Sequence, residues 1–528
     1  MLFNSFAFIF LFLPATLFGF FLLGRRTHRL AAAWLAAAWL AAASVFFYGW
    51  WNPLYVILLL ASIGLNFAFG TKLARLHAAG REKQAGRLLA VAVAANLLLL
   101  GYYKYTNFFL ANLGALAGAP LAAAEIVLPL GISFFTFTQI AFLVDARRGE
   151  AKEYSFIHYC LFVTYFPHLI AGPILHHGEM MPQFRDRVVY RMSWDNLAPG
   201  LTLFLIGLYK KTVIADGVAE YVSPAFNAAA GGAAPTLLDA WGAALAYAFQ
   251  IYFDFSGYSD MAIGLSRMFG ILLPLNFDSP YKSASIIDFW RRWHITLSRF
   301  LRDYLYFSLG GNRKGAARRH LNLFLTMLIG GLWHGAGWTF VCWGALHGVY
   351  LALNHGWRSL CRALRFKPER LPGWQVFARL LTFTAVVVAW VFFRAADLDA
   401  ALAMLKGMAG MNGFILPQRW LRHWGAFGQW LIEQGVRFAE MSYFQAGTQV
   451  NWIWILLLVC WALPNTQELM AAYRPGLVSP GYRPITPGAS AWNLTWRPSP
   501  VWLAITAGLG IYALLSITGF SEFIYFQF

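Results

Sequence analysis

Apolar runs about as long as a lipid bilayer is thick recur along almost the whole chain, and no other feature constrains its fold as strongly. A membrane-spanning helix needs about 20 mostly apolar residues. A backbone within lipid must satisfy its own hydrogen bonds, so such segments fold as helices. The sequence therefore predicts an all-α, polytopic membrane protein with roughly 11–13 membrane helices, some re-entrant or interfacial where Gly and Pro interrupt them. The candidate spans are 5–23, 31–48, 54–70, 88–103, 126–144, 156–174, 199–216, 237–255, 322–343, 340–357, 377–394, 451–467 and 500–520.

The charge distribution predicts the orientation of the chain. Only 12% of the 528 residues are charged, about half of the roughly 25% usual in soluble domains. The net charge of +18 is scattered over short connections, which is typical of cytoplasmic loops and requires no nucleic-acid partner. The amino terminus is then outside, and the first run is a helix, not a cleaved signal, because it lacks a basic leader. The basic connections are Arg25–Arg29, Lys72–Arg87, Arg147–Arg148, Lys210–Lys211, Arg313–Arg319 and Arg358–Arg370.

The chain is expected to form one integral domain over 1–528, with core motifs in 160–350, a loop and last span in 400–520 and an aromatic tail in 521–528. Three stretches are too polar to span a membrane: 278–320, 405–450, which we interpret as a mixed loop with a surface helix, and 468–499. The four cysteines show no paired spacing. We therefore expect them to act as small buried hydrophobic residues that form no disulfide and bind no metal.

The stretch Gly330–Trp338 places one imidazole, His334, between glycines and tryptophans inside an apolar region. A polar side chain at membrane depth is costly unless it is paired or lines a cavity, so it is a functional candidate. Histidine also suits proton transfer near neutral pH. The alternative is a packing histidine bonded to a neighbouring helix. The glycines indicate close approach of backbone or ligand.

Residues 287–304 have helical periodicity, with Trp290, Trp293 and Leu297 on one face, and His294 on another. Asp288 and Arg292 are spaced to pair within such a helix. A basic amphipathic helix at the membrane interface is the alternative interpretation. The second histidine, 40 residues before the first, favours a role at a shared site.

We expect structural roles for two further groups of polar residues. Asp254 and Asp260 flank a Gly257 segment that lacks the last glycine of a serine hydrolase elbow, so we expect them to bond backbone or arginine at a helix break. His176, His177 and Glu179 lack the regular spacing of metal ligands.

Taken together, several motifs resemble the membrane-bound O-acyltransferase family, and most closely its bacterial alginate O-acetyltransferase-like branch. They occur in the family's order: Phe166–Ile174, Tyr252–Asp260, Phe289–Ser298, Leu301–Asn312, Gly330–Ala336 and Trp343–Gly348. The resemblance implies a histidine in a central tunnel through the membrane, a cytoplasmic acyl donor and an extracytoplasmic acceptor. His334 matches the catalytic histidine and His294 the second polar position. After about residue 400 the chain is expected to depart from the alginate enzymes, which leaves the identity of the polymer open.

The implied donor is acetyl-CoA, used as a substrate with no permanently bound cofactor. Guanidinium groups suit phosphate, so the segment around His294 is the expected donor site. The predicted donor-binding residues are Trp290, Arg291, Trp293, Ser298 and Arg302.

The chain ends in the aromatic segment 523–528, which should insert into protein or membrane. It is similar to a carboxyl-terminal motif of bacterial acylation systems, and this resemblance implies that Tyr525 carries the acyl group outward. An aromatic membrane anchor is the alternative.

The sequence therefore predicts a multi-pass O-acetyltransferase of the bacterial inner membrane that serves an exported polysaccharide, with alginate-like polymers favoured and peptidoglycan or cellulose as alternatives. The expected partners are a periplasmic or extracellular SGNH-hydrolase-like acetyltransferase, the polysaccharide synthase and export machinery, and membrane lipid. A transporter of polysaccharide or lipid-linked sugar is the alternative function.

Overall fold

The computed structural model describes residues 1–25, 29–119, 121–153, 155–478, 494–517 and 523–524. Contacts divide the chain into two compact units. Unit 1 comprises Met1–Tyr209, Ser256–Asn276 and Thr466–Phe528, and unit 2 comprises Lys210–Phe255 and Phe277–Asn465. The expectation of one integral domain over 1–528 stays a prediction, as does the central tunnel.

The amino-terminal part of unit 1 is helical, with a π-helical segment at Phe8–Phe12. Its α-helices are α1 Leu13–Gly24, α2 Arg29–Gly49, α3 Leu54–Ala78, α4 Glu82–Ala117, α5 Ile132–Arg148, α6 Phe156–Thr164, α7 Phe166–Leu169, α8 His177–Met180 and α9 Trp194–Tyr209. Short 3₁₀ turns lie at Gln183–Arg185 and Arg187–Tyr190.

Unit 2 begins with a π-helical segment at Lys210–Ala215, and a second one lies at Leu301–Tyr306. Its elements are α10 Asp216–Ala219, α11 Ser223–Ala230, α12 Leu237–Met268, α13 Ile286–Trp290, α14 Ile295–Phe300, α15 Gly315–His334, α16 Trp338–Ala363, α17 Trp374–Arg394, α18 Leu398–Met408, β1 Ile415–Pro417, α19 Gln418–Trp424, α20 Ala426–Glu433, β2 Arg437–Ala439 and α21 Thr448–Ala462. Helix α12 begins in unit 2 and ends in unit 1. The carboxyl-terminal part of unit 1 adds α22 Thr466–Leu469 and α23 Pro500–Leu515.

Buried polar side chains join the helices of unit 1. Asn66 of α3 and Asn96 of α4 exchange amide hydrogen bonds of 3.1 and 2.7 Å. Gln139 of α5 donates to Ser62 of α3 at 3.0 Å. Because lipid offers such groups no partner, polar side chains at membrane depth pair across helix interfaces.

The described residues include five helices long and apolar enough to cross a membrane, at Ala32–Gly49, Leu54–Ala78, Glu82–Ala117, Trp194–Ala219 and Trp374–Arg394. Shorter apolar helices lie at Phe8–Gly24, Thr448–Ala462 and Pro500–Leu515. The chain is therefore a helical, multi-pass membrane protein, as predicted.

Some predicted spans fold differently from the expectation of 11–13 membrane helices. The segment 126–144 becomes helical only at Ile132, and 156–174 divides at Tyr165 into two short helices. The backbone of Tyr165 leaves the helical region there, and Pro167 follows with no N–H to donate. The loop at 405–450 holds two short helices and also a parallel pairing of β1 with β2, a small departure from an all-α chain.

Candidate active site

Helices α15 and α16 form a hairpin with His334 at its tip. His334 is the last residue of α15, and only Gly335–Gly337 separate it from α16. The two helices cross closely at glycines, since a Cβ on Gly331 would lie 2.9 Å from the Gly344 Cα atom. A Cβ on Gly335 would overlap the Phe340 ring. Gly331 and Gly344 therefore allow the two helix backbones to approach closely, and Gly335 leaves room for the Phe340 ring.

Aromatic rings enclose the His334 imidazole, and only 4% of the residue is exposed. Its ring centroid lies 4.9 Å from Trp333, 5.1 Å from Trp343 and 5.2 Å from Phe393. Trp343 meets it edge-on, at an interplanar angle of 87°. Such packing fixes the orientation of the ring and keeps bulk water away from it.

His294 lies in a break between two short helices, so the continuous helix predicted for 287–304 is wrong. Helix α13 ends at Trp290 and α14 begins at Ile295, with His294 as its N-cap at φ +44°. A left-handed backbone is uncommon for a residue with a side chain, and such conformations concentrate at functional sites. The predicted pair within the segment is present, with Arg292 Nε 3.1 Å from Asp288 Oδ2.

The break turns the His294 side chain into the protein, where it is fully buried. The side chain of His294 therefore points into the protein, while the placement of the whole segment at the membrane interface stays an alternative. The Phe255 ring meets the imidazole edge-on at 4.7 Å. Burial lowers the pKa of His294 from its usual 6.5 to about 3, so the ring is neutral at physiological pH.

The structure brings the two predicted histidines together. The His294 and His334 ring centroids are 6.5 Å apart at an interplanar angle of 56°. Trp333 also lies 6.5 Å from His294. Two buried imidazoles at this separation are close enough to act on one small ligand.

A third buried histidine, His347 of α16, belongs to the same cluster and was not singled out from the sequence. Trp290 Nε1 donates to its Nδ1 atom at 3.3 Å, and the Trp343 ring lies 4.8 Å away. The signal was present in the sequence, because His347-Gly348 repeats the His334-Gly335 pattern inside the same apolar region.

The predicted donor-binding residues do not share one environment. Trp290 and Trp293 are buried among the aromatic rings. Ser298 Oγ donates to the Trp293 carbonyl at 3.4 Å. Arg291 is exposed, whereas Arg302 forms two hydrogen bonds with the adjacent Asp303, of 2.7 and 3.1 Å. Donor binding by this set stays a prediction.

The two aspartates have structural partners, but no helix break lies between them, since α12 runs through both. Within unit 2, Asp254 pairs with Lys211 at 2.7 Å. Within unit 1, Asp260 accepts a hydrogen bond from Gln467 at 2.8 Å. The expectation of a helix break is wrong because regular helical geometry already places both carboxylates beside partners.

The histidines at 176 and 177 each face a carboxylate. His176 Nδ1 lies 3.7 Å from Asp145, and His177 Nε2 lies 3.4 Å from Glu153. Among the described residues, no group of three or more His, Cys, Asp or Glu side chains is arranged to hold a metal ion.

The predicted acyl carrier Tyr525 lies outside the described residues. The two tail residues before it, Phe523 and Ile524, are buried. The Phe523 ring stacks on Tyr258 of unit 1 with centroids 4.6 Å apart. The start of the tail therefore packs into protein, as its aromatic composition predicted.

Comparison with known proteins decides the family. The membrane-bound O-acyltransferase family matches residues 85–393. The chain belongs to this family. It is similar to a probable alginate O-acetylase of Pseudomonas putida, 38% identical over 100% of both chains. A peptidoglycan O-acetyltransferase of Helicobacter pylori is 44% identical over 79% of this chain and 81% of the relative. A teichoic acid D-alanyltransferase of Bacillus subtilis is 29% identical over 50% of this chain and 66% of the relative.

The family assignment establishes an enzyme, an O-acyltransferase, with O-acetyltransferases among its full-length relatives. It replaces the alternative of a transporter. One expectation is wrong: the region after about residue 400 does match alginate enzymes, since the similarity covers the whole chain.

Proposed function

We propose that this chain passes acetyl groups from cytoplasmic acetyl-CoA across the bacterial inner membrane for O-acetylation of an extracytoplasmic polysaccharide, with an alginate-like exopolysaccharide favoured. The observation that carries the proposal is the pair of buried imidazoles at His294 and His334, 6.5 Å apart inside an aromatic cluster. Full-length similarity to alginate O-acetylases supports the acetyl group and the polymer class.

His334 acts as the general base in this proposal. An acceptor hydroxyl is mostly protonated at neutral pH and needs its proton removed to attack a thioester. The acceptor oxygen bonds to the acetyl carbon, the carbon–sulfur bond breaks, and the proton passes through His334 to the departing thiolate. A positioned base of this kind contributes about 10²–10⁴-fold to the rate.

His294 supports the same step as a neutral group. Since burial keeps it uncharged, it is suited to donate a hydrogen bond to the oxyanion that forms on the acetyl carbonyl. The aromatic walls exclude water, which would otherwise hydrolyse the thioester. Trp290 and His347 hold this wall in place through their hydrogen bond.

Tyr525 is the proposed first acceptor. The phenolate of tyrosine is a better leaving group than an alkoxide, so an acetyl-tyrosine suits onward transfer, in which a serine of a periplasmic or extracellular SGNH-hydrolase-like acetyltransferase takes the acetyl group and the tyrosine hydroxyl is restored. That partner would then acetylate the polymer beside the synthase and export machinery. The burial of Phe523 and Ile524 supports a tail that packs into protein.

Peptidoglycan is the second candidate acceptor polymer. The observation that favours it is the 44% identity with the Helicobacter pylori peptidoglycan O-acetyltransferase, which is higher than the 38% for the Pseudomonas putida protein. The greater coverage of the alginate relative, 100% of both chains, keeps alginate-like polymers first.

The proposal is tested by expressing the full chain with its partner in a host without its own O-acetylases. Ester-linked acetate released by mild base is then measured separately on exported polymer and on peptidoglycan. We expect acetate on the exported polymer, and at least a tenfold loss in Tyr525→Phe, which removes only a hydroxyl. Without the partner, mass spectrometry should find an acetylated carboxyl-terminal peptide.

Tyr512→Phe is the matched control, because Tyr512 is an exposed tyrosine of α23 and should tolerate loss of its hydroxyl. Full polymer acetylation by Tyr525→Phe would contradict the carrier role. Acetate found on peptidoglycan alone would replace the first candidate polymer with the second.

A further inference from the structure

A large cavity of about 1820 Å³ lies within unit 2 between the carboxyl-terminal half of α16 and the amino-terminal half of α17. The segment Ala284–Ile286, which leads into α13, closes one side. Small-molecule pockets usually measure about 300–1,000 Å³. The cavity is therefore large enough for an amphiphile with both a headgroup and part of a chain.

One rim of the cavity is strongly basic. Five cationic side chains line it, against one carboxylate, Glu369. In the part of the chain that the structure describes, no ion pair joins these cations to a carboxylate. Arg362 is held in place by hydrogen bonds of 3.3 Å to the Arg358 carbonyl and to Ser359 Oγ. The cations are Arg358, Arg362, Arg365, Lys367 and Arg370.

Another part of the cavity lining is apolar and partly exposed. Leu353 of α16 and Phe377 and Leu381 of α17 line it while remaining 65%, 54% and 58% exposed. Helix α17 is long and apolar enough to cross a membrane, so such exposed side chains face lipid. Trp357 and Trp374 stack at 6.2 Å near the basic rim, as aromatic residues do at the level of lipid headgroups.

We propose that this cavity binds one anionic phospholipid, with its phosphate among the guanidinium groups and one acyl chain along Leu353, Phe377 and Leu381. Guanidinium groups match phosphate geometry, and the cytoplasmic leaflet carries anionic lipids that attract basic residues beside a membrane helix. Asn354 lines the cavity, and its buried Oδ1 atom has no hydrogen-bond partner among the described residues. It suits a hydroxyl of a glycerol headgroup.

The exposed apolar lining favours a lipid over a water-soluble anion. A nucleotide phosphate would use the basic rim but would leave the exposed apolar wall without a ligand. Tyr350 lines the cavity and packs against His347 at 5.8 Å, so occupancy also touches the aromatic cluster. The proposal does not depend on the proposed acyl transfer.

The test is native mass spectrometry of the purified full chain titrated with phosphatidylglycerol or with phosphatidylcholine. We expect one phosphatidylglycerol to bind at least tenfold more tightly than phosphatidylcholine. The triple variant Arg358→Gln, Arg362→Gln, Arg365→Gln should lose this preference. Leu381→Trp keeps every charge and should weaken phosphatidylglycerol binding by obstructing the apolar wall.

The matched control removes three charges from another basic connection, in Arg81→Gln, Lys83→Gln, Arg87→Gln, whose side chains are exposed. It should keep the preference. Equal affinity for the two lipids, or an equal loss in both triple variants, would overturn the proposal. Displacement of bound phosphatidylglycerol by coenzyme A would also overturn it, by assigning the rim to the acyl donor.

Discussion

At the scale of single residues, His294 combines a buried neutral imidazole with a left-handed backbone at φ +44°. Asn tolerates this conformation better than most residues, whereas a β-branched side chain does not. Strain of this kind costs about 1–3 kcal/mol and persists where the surrounding structure imposes it. The backbone of His294 is thus fixed by the fold, which holds the position of its side chain.

We expect His294→Asn to keep most of the thermal stability while impairing acyl transfer, because it retains a tolerable backbone but loses the imidazole. His294→Val should lose activity and also a further 1–3 kcal/mol or so of unfolding free energy. Thermal unfolding in detergent and transfer from labelled acetyl-CoA measure the two effects. If the Val variant is as stable as the Asn variant, backbone strain at this position is not significant.

At the scale of elements, the hairpin of α15 and α16 positions His334. With a rise of 1.5 Å per residue, α15 carries His334 roughly 30 Å from Gly315, so one helix separates the basic connection at 313–319 from the imidazole. The close crossing at Gly331 and Gly344 sets where the tip lies.

Gly331→Ala tests this crossing, since its Cβ would press on the Gly344 backbone. We expect a loss of about 1–3 kcal/mol of stability and a lower rate of acyl transfer as His334 shifts. Gly356→Ala in α16 is the control, because a Cβ there meets nothing within 4 Å and Ala favours a helix over Gly. A Gly331→Ala protein with unchanged stability and rate would show that the close crossing is not required.

Sequence patterns predicted the helical class and placed His334 inside an apolar region because both rest on local signals: long apolar runs, and one polar side chain inside such a run. They missed the break at His294 since helical periodicity continues through Trp290 and Leu297 with no Gly or Pro to mark a turn. They also missed His347, whose role depends on the hairpin that brings it beside Trp343. Contacts between distant segments are set by tertiary packing, which no local pattern encodes.

At the scale of the whole molecule, the proposed reaction needs a path from a cytoplasmic donor to an outer acceptor. The basic connections at 313–319 and 358–370 lie at the open end of the hairpin, and His334 lies at its tip. Under the positive-inside rule the open end faces the cytoplasm. We therefore expect the imidazole to lie towards the outer side of the membrane, as the proposed outward transfer of an acetyl group requires.

The most direct test of the central claim is the rate of acetyl transfer from labelled acetyl-CoA in membrane vesicles that contain the full chain, compared between wild type and His334→Gln. Gln keeps a polar side chain at the hairpin tip but cannot act as the base. We predict a fall of about 10²–10⁴-fold, with normal expression and with full activity in His423→Gln, whose ring lies exposed on α19. A His334→Gln protein that retains transfer within tenfold of wild type would contradict the account.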